Sequence, residues 1–406
     1  MPTFLTAAEA AAELDISLPT LYAYVSRGLI RSEPGDNQRR TRRYHAEDVA
    51  RLQERQANRR DPGRVAETAL HYGSPLLESA LTLIDQGRLY YRGRDVLTLA
   101  QSHSLEQVAA LLWADDLTAP LFHRAQTRLS PLLEQLRPQL QPLAPIEQFL
   151  AWLPIAAASD FAAYDLSPDG VRQTGARILD GLVGLATGQP VGESGIGPAL
   201  QQVWLPEVGN AAAWLNSALI LCADHELNIS AFTARCVASA GATPYGVVQA
   251  GLAALQGSKH GGYTARVEAL FREVQTPAQA QAVLTGRLRR GEDIPGFHHP
   301  LYAEGDPRGR ELLHLAHQAN PDSLALALAH TIRDTTFSLL GHHPTLDFGL
   351  VTLCQTLNLP PGTAITLFAL GRTVGWIGHA LEQYARDELI RPRARYVGPV
   401  AGQHFS

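Results

Sequence analysis

The sequence predicts a mainly α-helical protein: a large multi-helical domain preceded by a small module of short elements. Three observations lead there. Between about residue 75 and residue 390, apolar residues recur at i, i+3 and i+4, with Ala and Leu dominant and breaks at Pro or Gly. Period-two alternation, the mark of strands, is missing from that region except at Arg88–Gly93 (RLYYRG). Ahead of it, Asp61-Pro62-Gly63 punctuates the chain as a linker and sets off a segment with its own charge balance. At 406 residues there is material for two or three domains and a substantial core. No period of about 30–40 residues repeats, which argues against a solenoid.

The N-terminal segment reads element by element. Thr6 is placed to cap a helix over Ala7–Leu14, with Glu9 at the capping-box position. After Asp15-Ile16-Ser17, a second helix runs over Leu18–Leu29, and Gly28 is its C-terminal stop. Pro34-Gly35-Asp36-Asn37 makes a turn, Arg39–Tyr44 (RRTRRY) suits a basic strand, and Ala46–Arg60 reads as a third helix. Residues 1–64 hold 11 Arg against 9 acidic residues, and the basic excess lies entirely after residue 26. Residues 65–406 hold 23 basic and 30 acidic residues, within a net charge of −5 for the chain. The whole protein is therefore not a polyanion binder, although this module can be one.

The pattern over residues 10–30, AAxxLxISxxTLYxYxxxGLI, resembles the helix-turn-helix of the MerR-like group. The resemblance implies a winged helix-turn-helix module over residues 1–62. Its second helix would offer Ser17, Thr20, Tyr22, Tyr24 and Arg27 to a DNA groove, with Arg39, Arg40, Arg42 and Arg43 of the wing on phosphates. Such modules also serve as dimerisation or docking elements.

Cys222, Cys236 and Cys354 show no metal-ligand spacing and sit in apolar, helix-like runs, so buried thiols in a reducing cytosol are expected. The N-terminus places acids early and has no basic n-region before an apolar stretch, unlike a signal peptide. No window of about 18 uncharged apolar residues occurs, so no membrane span is expected and the location is cytoplasmic.

Near the C-terminus, Thr363–Tyr384 (TAITLFALGRTVGWIGHALEQY) places Ile365, Phe368, Arg372, Trp376 and His379 on one helical face. Gly371, Gly375 and Gly378 form an adjacent small-residue stripe that lets another backbone come close. Arg372 is thus a permanent cation on a buried face, and burying it unpaired costs several kcal/mol. It needs an anion there, either an internal Asp or Glu or the carboxylate or phosphate of a substrate.

Four histidine-bearing segments accompany it: Ala223–Ser230 (ADHELNIS), Gly257–Gly262 (GSKHGG), Gly296–Arg308 (GFHHPLYAEGDPR) and Gly341–Asp347 (GHHPTLD). They contain neither HExxH nor an i, i+4 histidine pair, so no metal is expected. The serine-nucleophile elbow and the dinucleotide fingerprint are missing too. Asp347 alone fits as the N-cap of a helix over Phe348–Leu357.

Together and in this order, the segments resemble the citrate synthase family over roughly residues 75–400. The resemblance implies a large multi-helical citrate synthase-like domain over 65–400, with a smaller mobile helical subdomain at about 262–355 hinging near His260. His225, in DHELNxS, corresponds to the histidine that hydrogen-bonds oxaloacetate, and His260, in HGG, to the one that holds the thioester oxygen of acetyl-CoA. His299 matches the histidine of GFGHRVY that polarises the ketone. Arg308 and Arg372 match carboxylate-binding arginines, and Asp347 the catalytic base. Arg391, in Arg391–Gly398 (RPRARYVG), resembles an arginine donated across a homodimer interface. The implied reaction is a Claisen condensation of oxaloacetate with acetyl-CoA to citrate and CoA. It needs no cofactor, an acyl-CoA entering as substrate. Propionyl-CoA, giving 2-methylcitrate, fits the same chemistry, and a DNA-binding regulator that senses these metabolites is the alternative of another class.

The residue types suit that chemistry. A thioester methyl is a very weak acid, so an aspartate base needs burial to raise its basicity and a donor on the oxygen where charge develops. Two carboxylates arriving together call for permanent cations. The chain departs from the family's GFGHRVYK at three positions: His298 stands for a glycine, Pro300 for an arginine and Ala303 for a lysine. Two cations usual for a CoA tail are therefore missing from this loop, which implies either weaker CoA binding or contacts made elsewhere, for which Lys259 is a candidate.

Overall fold

The computed structural model describes residues 4–14, 16–26, 29–34, 42–46, 48–49, 77–124, 131–392, 394, 396 and 398. The chain forms two compact units, Met1–Leu77 with Arg391–Ser406, and Glu78–Ile390.

The smaller unit begins as its capping signal dictates. Thr6 Oγ1 accepts from Glu9 N at 3.3 Å while Glu9 Oε2 accepts from Thr6 N at 2.8 Å, and the helix Ala7–Glu13 follows. A second helix spans Leu18–Ser26, and Leu29 N donates back to Tyr24 O at 2.9 Å. Strand Arg42–His45 lies between Phe4–Leu5 and Ser32–Pro34, antiparallel to both. Leu5, Ala10, Leu14, Leu21, Ile30, Tyr44 and Val49 close a small core. Arg31 ties Asp48 to the sheet through Nε and Nη2, at 2.9 and 3.1 Å. Tyr22 and Arg42 are exposed, as is Arg43, and Thr20 is half-buried with its Oγ1 2.9 Å from Ser17 Oγ. Arg27, Arg39 and Arg40 lie outside the described residues, as does most of the expected helix at 46–60.

The larger unit opens with a three-stranded antiparallel sheet, Thr82–Asp85, Arg88–Tyr91 and Arg94–Asp95. Only its middle strand was expected. Gln86-Gly87 and Arg92-Gly93 both take positive φ, the two-residue turns that match strand twist. Helices then follow at Val96–Ser102, Leu105–Ala114, Pro131–Leu140, Pro145–Ser159, Pro168–Thr187, Ile196–Trp204, Ala211–Cys222, Ile229–Ser239 and Pro244–Leu255. A second series comprises Tyr263–Val274, Ala280–Arg289, Pro307–Ala319, Leu324–Leu340 and Leu346–Thr356, before the long helix Thr363–Arg386. The mainly helical fold is as expected.

The Thr363–Arg386 helix is the axis of the core and packs on Pro168–Thr187, Ala211–Cys222, Ile229–Ser239 and Pro244–Leu255. Its glycine stripe makes this possible. A Cβ on Gly371 would stand 2.3 Å from Leu219 O, and one on Gly375 2.4 Å from Ala223 O. Gly375 N donates to Ala223 O at 3.1 Å, so the close approach fixes the chain just ahead of Asp224 and His225. Among the described residues this is the one helix long and apolar enough to cross a membrane, yet nearly all of it is buried inside the protein. It is a core helix.

Helices Pro307–Ala319 and Leu346–Thr356 cross at another glycine pair. A Cβ on Gly309 would meet Thr345 O at 2.5 Å, and one on Gly349 would meet Gly309 O at 2.7 Å. This crossing holds Arg308 and Asp347 near each other. Thr345 is the N-cap, so Asp347 sits in the first turn of the helix and is not its cap. All three cysteines are free; Cys222 and Cys354 are buried, but Cys236, in the helix Ile229–Ser239, is only half-buried, contrary to expectation.

Candidate active site

One cavity of about 370 Å³ gathers six of the seven residues singled out in the helical domain: His225, His260, His299, Arg308, Asp347 and Arg372. Asn228, Lys259, Tyr263, Arg266, His298, Asp306 and Phe368 complete much of its wall. The seventh, Arg391, is exposed, belongs to the other compact unit and is not among the lining residues. Among the described residues, no group of three or more His, Cys, Asp or Glu is arranged to hold a metal ion.

Asp347 projects from the first turn of its helix into this cavity. Its Oδ1 is buried without a hydrogen-bond partner, while the residue keeps a little exposure towards the cavity. Burial pushes the carboxyl up to about 7, against the opposing pull of Arg308. An aspartate of this kind is poised to take and return a proton near neutral pH.

The imidazoles move the other way. Burial first, then Arg372, drives His260 down to about 3, and burial with Arg308 drives His299 down to about 4. His225 is held well below its ordinary value, by burial and then Arg308. All three are neutral at pH 7, and a neutral imidazole donates from one nitrogen only. The backbone N of Leu301 donates to His299 Nδ1 at 3.2 Å, so the His299 proton sits on Nε2. His260 Nε2 lies 2.8 Å from Ser230 Oγ, and Trp376 Nε1 donates to that oxygen at 3.2 Å. His225 Nε2 meets the Tyr302 hydroxyl at 2.9 Å and packs edge-on against His299, with centroids 5.2 Å apart.

The two arginines differ. Arg308 is gripped by Asp306, Nε to Oδ1 at 3.0 Å and Nη2 to Oδ2 at 2.8 Å, with both groups buried. Burial works against both charges, but each partner outweighs it for the other: Asp306 is held low and Arg308 high. Arg372 has no carboxylate within ion-pair distance among the described residues. Its Nε donates to Cys222 O at 2.7 Å, its guanidinium lies 5.0 Å from the Phe368 ring centroid, and its buried Nη1 has no partner. Burial lowers its pKa, with Asp224 opposing. Of the two anions open to Arg372 from the sequence, the internal one is not in contact.

Sequence reasoning overlooked Asp306, Tyr302 and Ser230. Asp306 had a local signal, an acid before Pro307 at the start of a helix, where it caps Arg308 N at 3.0 Å. Tyr302 and Ser230 reach their histidines only through the tertiary fold. One departure from the resembling pattern also finds its place. His298 adopts φ 67°, the left-handed region, and stacks on His342 at 4.8 Å. The conformation explains why a glycine suits that position in the resembling pattern.

A buried carboxyl titrating near 7, two neutral donors and two buried guanidiniums can together deprotonate a weak carbon acid and hold carboxylates. The family model for "Citrate synthase, C-terminal domain" matches residues 69–180 and 196–393. The chain belongs to the citrate synthase family. It is thus an acyltransferase that converts an acyl into an alkyl group on transfer. A second model, "Helix-turn-helix domain", matches residues 4–57. This citrate synthase family member is 28% identical over 347 residues to citrate synthase 2 of Bacillus subtilis, covering 79% of this chain and 93% of that one. It is 29% identical over 341 residues to 2-methylcitrate synthase of Mycobacterium tuberculosis, covering 76% of this chain and 84% of that one. The ternary complex of carboxymethyl coenzyme A and oxaloacetate with citrate synthase from Thermoplasma acidophilum shares the fold, with TM-score 0.70 and 22% identity over 84% of this chain and 98% of that one.

Proposed function

We propose that the chain condenses oxaloacetate with acetyl-CoA, giving citrate and CoA. One observation carries the reading: the unpartnered Oδ1 of Asp347, with its carboxyl raised to about 7, shares a cavity with two neutral imidazoles and the unpaired Nη1 of Arg372.

Asp347 takes a proton from the thioester methyl, and the His260 imidazole donates to the oxygen where the enolate charge gathers. The methylene carbon then attacks the ketone carbon of oxaloacetate. His299, with its proton on Nε2, donates to the ketone oxygen and supports the alkoxide, which is protonated as citryl-CoA forms. Water hydrolyses that thioester, releasing citrate and CoA. Arg372, Arg308 and His225 hold the oxaloacetate carboxylates and orient the ketone. Fixing two substrates in one closed site can supply about 7–11 kcal/mol. The site would close by movement of the helices around 262–355, and Arg391 would be contributed by the second chain of a homodimer.

The test is thiol release on mixing the purified protein with oxaloacetate and acetyl-CoA, with citrate identified as product. No release with any short acyl-CoA would sink the proposal. Propionyl-CoA is the necessary second arm, because a relative of similar identity is named a 2-methylcitrate synthase and one methylene discriminates by only about 1–3 kcal/mol.

A second, compatible reading is that the N-terminal module binds DNA and makes the enzyme a metabolite-responsive regulator. The match of residues 4–57 to a helix-turn-helix domain and the exposed Tyr22, Arg42 and Arg43 favour it. Retardation of DNA fragments that weakens with salt and vanishes when residues 1–62 are removed is the expected result.

A further inference from the structure

We infer that Lys259 is the residue that anchors the phosphates of the thioester's carrier, selecting CoA-linked acyl groups over uncharged thioesters. The inference rests on the proposed condensation for the identity of the thioester, and on the geometry of the cavity for the residue.

Four Lys or Arg side chains line the cavity, and three are already engaged. Arg308 is held by Asp306 and Arg372 is anchored on Cys222 O, both in the buried interior. Arg266 is bound to Asp293, whose other carboxylate oxygen accepts the Tyr263 hydroxyl, and it also stacks on the Tyr263 ring. Lys259 remains. It is exposed and makes neither a hydrogen bond nor an ion pair among the described residues. It is also the chain's single lysine, set beside His260.

The backbone beneath it is fixed. His260 N donates to Gly257 O at 2.9 Å and Gly262 N to Leu255 O at 3.0 Å. A Cβ on Gly261 would stand 2.5 Å from Leu255 Cδ1, so this turn is packed against the core. The turn therefore carries the exposed Lys259 side chain on a fixed backbone at the cavity wall, one residue from the imidazole assigned to the thioester oxygen. The segment Gly296–Arg308, which also lines the cavity, contains no Lys or Arg before Arg308 itself. A CoA thioester carries a diphosphate and a 3′-phosphate that must stay outside while its acyl end reaches Asp347. Lys259 is the one unengaged permanent cation among the lining residues that can meet them.

The experiment compares wild type, Lys259→Gln and Lys259→Arg. Turnover is measured with acetyl-CoA, 3′-dephospho-acetyl-CoA and S-acetyl-pantetheine, and calorimetry gives the affinity for CoA and for pantetheine. Lys259→Gln is expected to raise KM for acetyl-CoA and Kd for CoA about tenfold, the scale of one lost charge-assisted contact. The loss should fall on KM rather than kcat, spare S-acetyl-pantetheine, and be largely recovered by Lys259→Arg. An effect retained with the dephospho substrate assigns the contact to the diphosphate; one abolished there assigns it to the 3′-phosphate. Unaltered CoA affinity in Lys259→Gln, or an equal loss with S-acetyl-pantetheine, overturns the inference. Because CoA binding is read separately, absence of turnover in the wild type would overturn the condensation alone.

Discussion

Asp306 grips Arg308 through both carboxylate oxygens, and its Oδ2 also accepts the backbone N of Leu346 at 3.1 Å, one residue before Asp347. A single buried carboxylate thus joins the carboxylate-binding arginine to the helix that carries the base. Asp306→Ala leaves Arg308 as a buried cation without its partner, which costs about 3–5 kcal/mol. A marked fall in thermal stability is expected, together with a loss of kcat/KM beyond what the stability change explains at assay temperature. Thermal melts and steady-state kinetics on the full chain check both; a variant as stable as wild type would refute the pairing.

The raised carboxyl of Asp347 predicts the pH dependence of activity. The base must be ionised, so kcat/KM should rise about tenfold per pH unit below about 7 and level off above it. His260 and His299, held near 3 and 4, stay neutral throughout and should add no second inflection between about pH 5 and 9. A flat profile from pH 5 to 8 would contradict the assignment of the base.

The same shift makes a statement about stability. An unfolded aspartate titrates near 3.9, while folded Asp347 titrates near 7. The native chain therefore keeps a proton that the unfolded chain releases. That preference contributes fully below about pH 4 and is lost as pH rises through 7, leaving a burden of a few kcal/mol at pH 8. Asp347→Asn should be nearly inactive yet melt at a higher temperature than wild type at pH 8, with the gap shrinking towards pH 5. Melting curves at the two pH values decide it.

His299 offers a test of the donor role. Its Nδ1 accepts from Leu301 N, which directs the Nε2 proton towards the cavity. His299→Ala removes that donor, and a fall of about 10²–10³ in kcat is expected, with the melting temperature little changed because the ring lies at a cavity wall. A kcat within threefold of wild type would remove His299 from the chemistry.

Much of this was legible because spacing reports what lies on one face of an element. The face carrying Arg372, Trp376 and His379 and the glycine stripe beside it could be read from helical period alone, as could the capping box of Thr6 and Glu9. The hairpins at 82–95 were only partly visible, since Gln-Gly and Arg-Gly are weaker turn signals than Asn-Gly. Partners that meet through space were invisible. The Tyr302 hydroxyl reaches His225 from a distant loop, and Ser230 meets both His260 and Trp376. No periodicity encodes such contacts, because they are set by helix crossings such as that of Gly309 with Gly349. Arg308 illustrates the same limit: its internal partner lies two residues away, but only the fold makes the pair buried and bidentate.

Arg372 provides the sharpest test of substrate binding. Its Nε is fixed on Cys222 O, the Phe368 ring lies alongside, and the buried Nη1 is left unpartnered. Lysine keeps the charge but cannot reach the Cys222 carbonyl and a ligand together, having one nitrogen where arginine has three. Arg372→Lys should therefore raise KM for oxaloacetate by about 10–100-fold, the scale of a lost charge-assisted hydrogen bond in a dry site, while KM for acetyl-CoA moves much less. Arg372→Gln, which removes the charge, should be worse for oxaloacetate still. Initial-rate kinetics with each substrate varied in turn separate the two effects. If both KM values rose equally, Arg372 would be acting on the packing of the Thr363–Arg386 helix, and its place as the oxaloacetate clamp would fall.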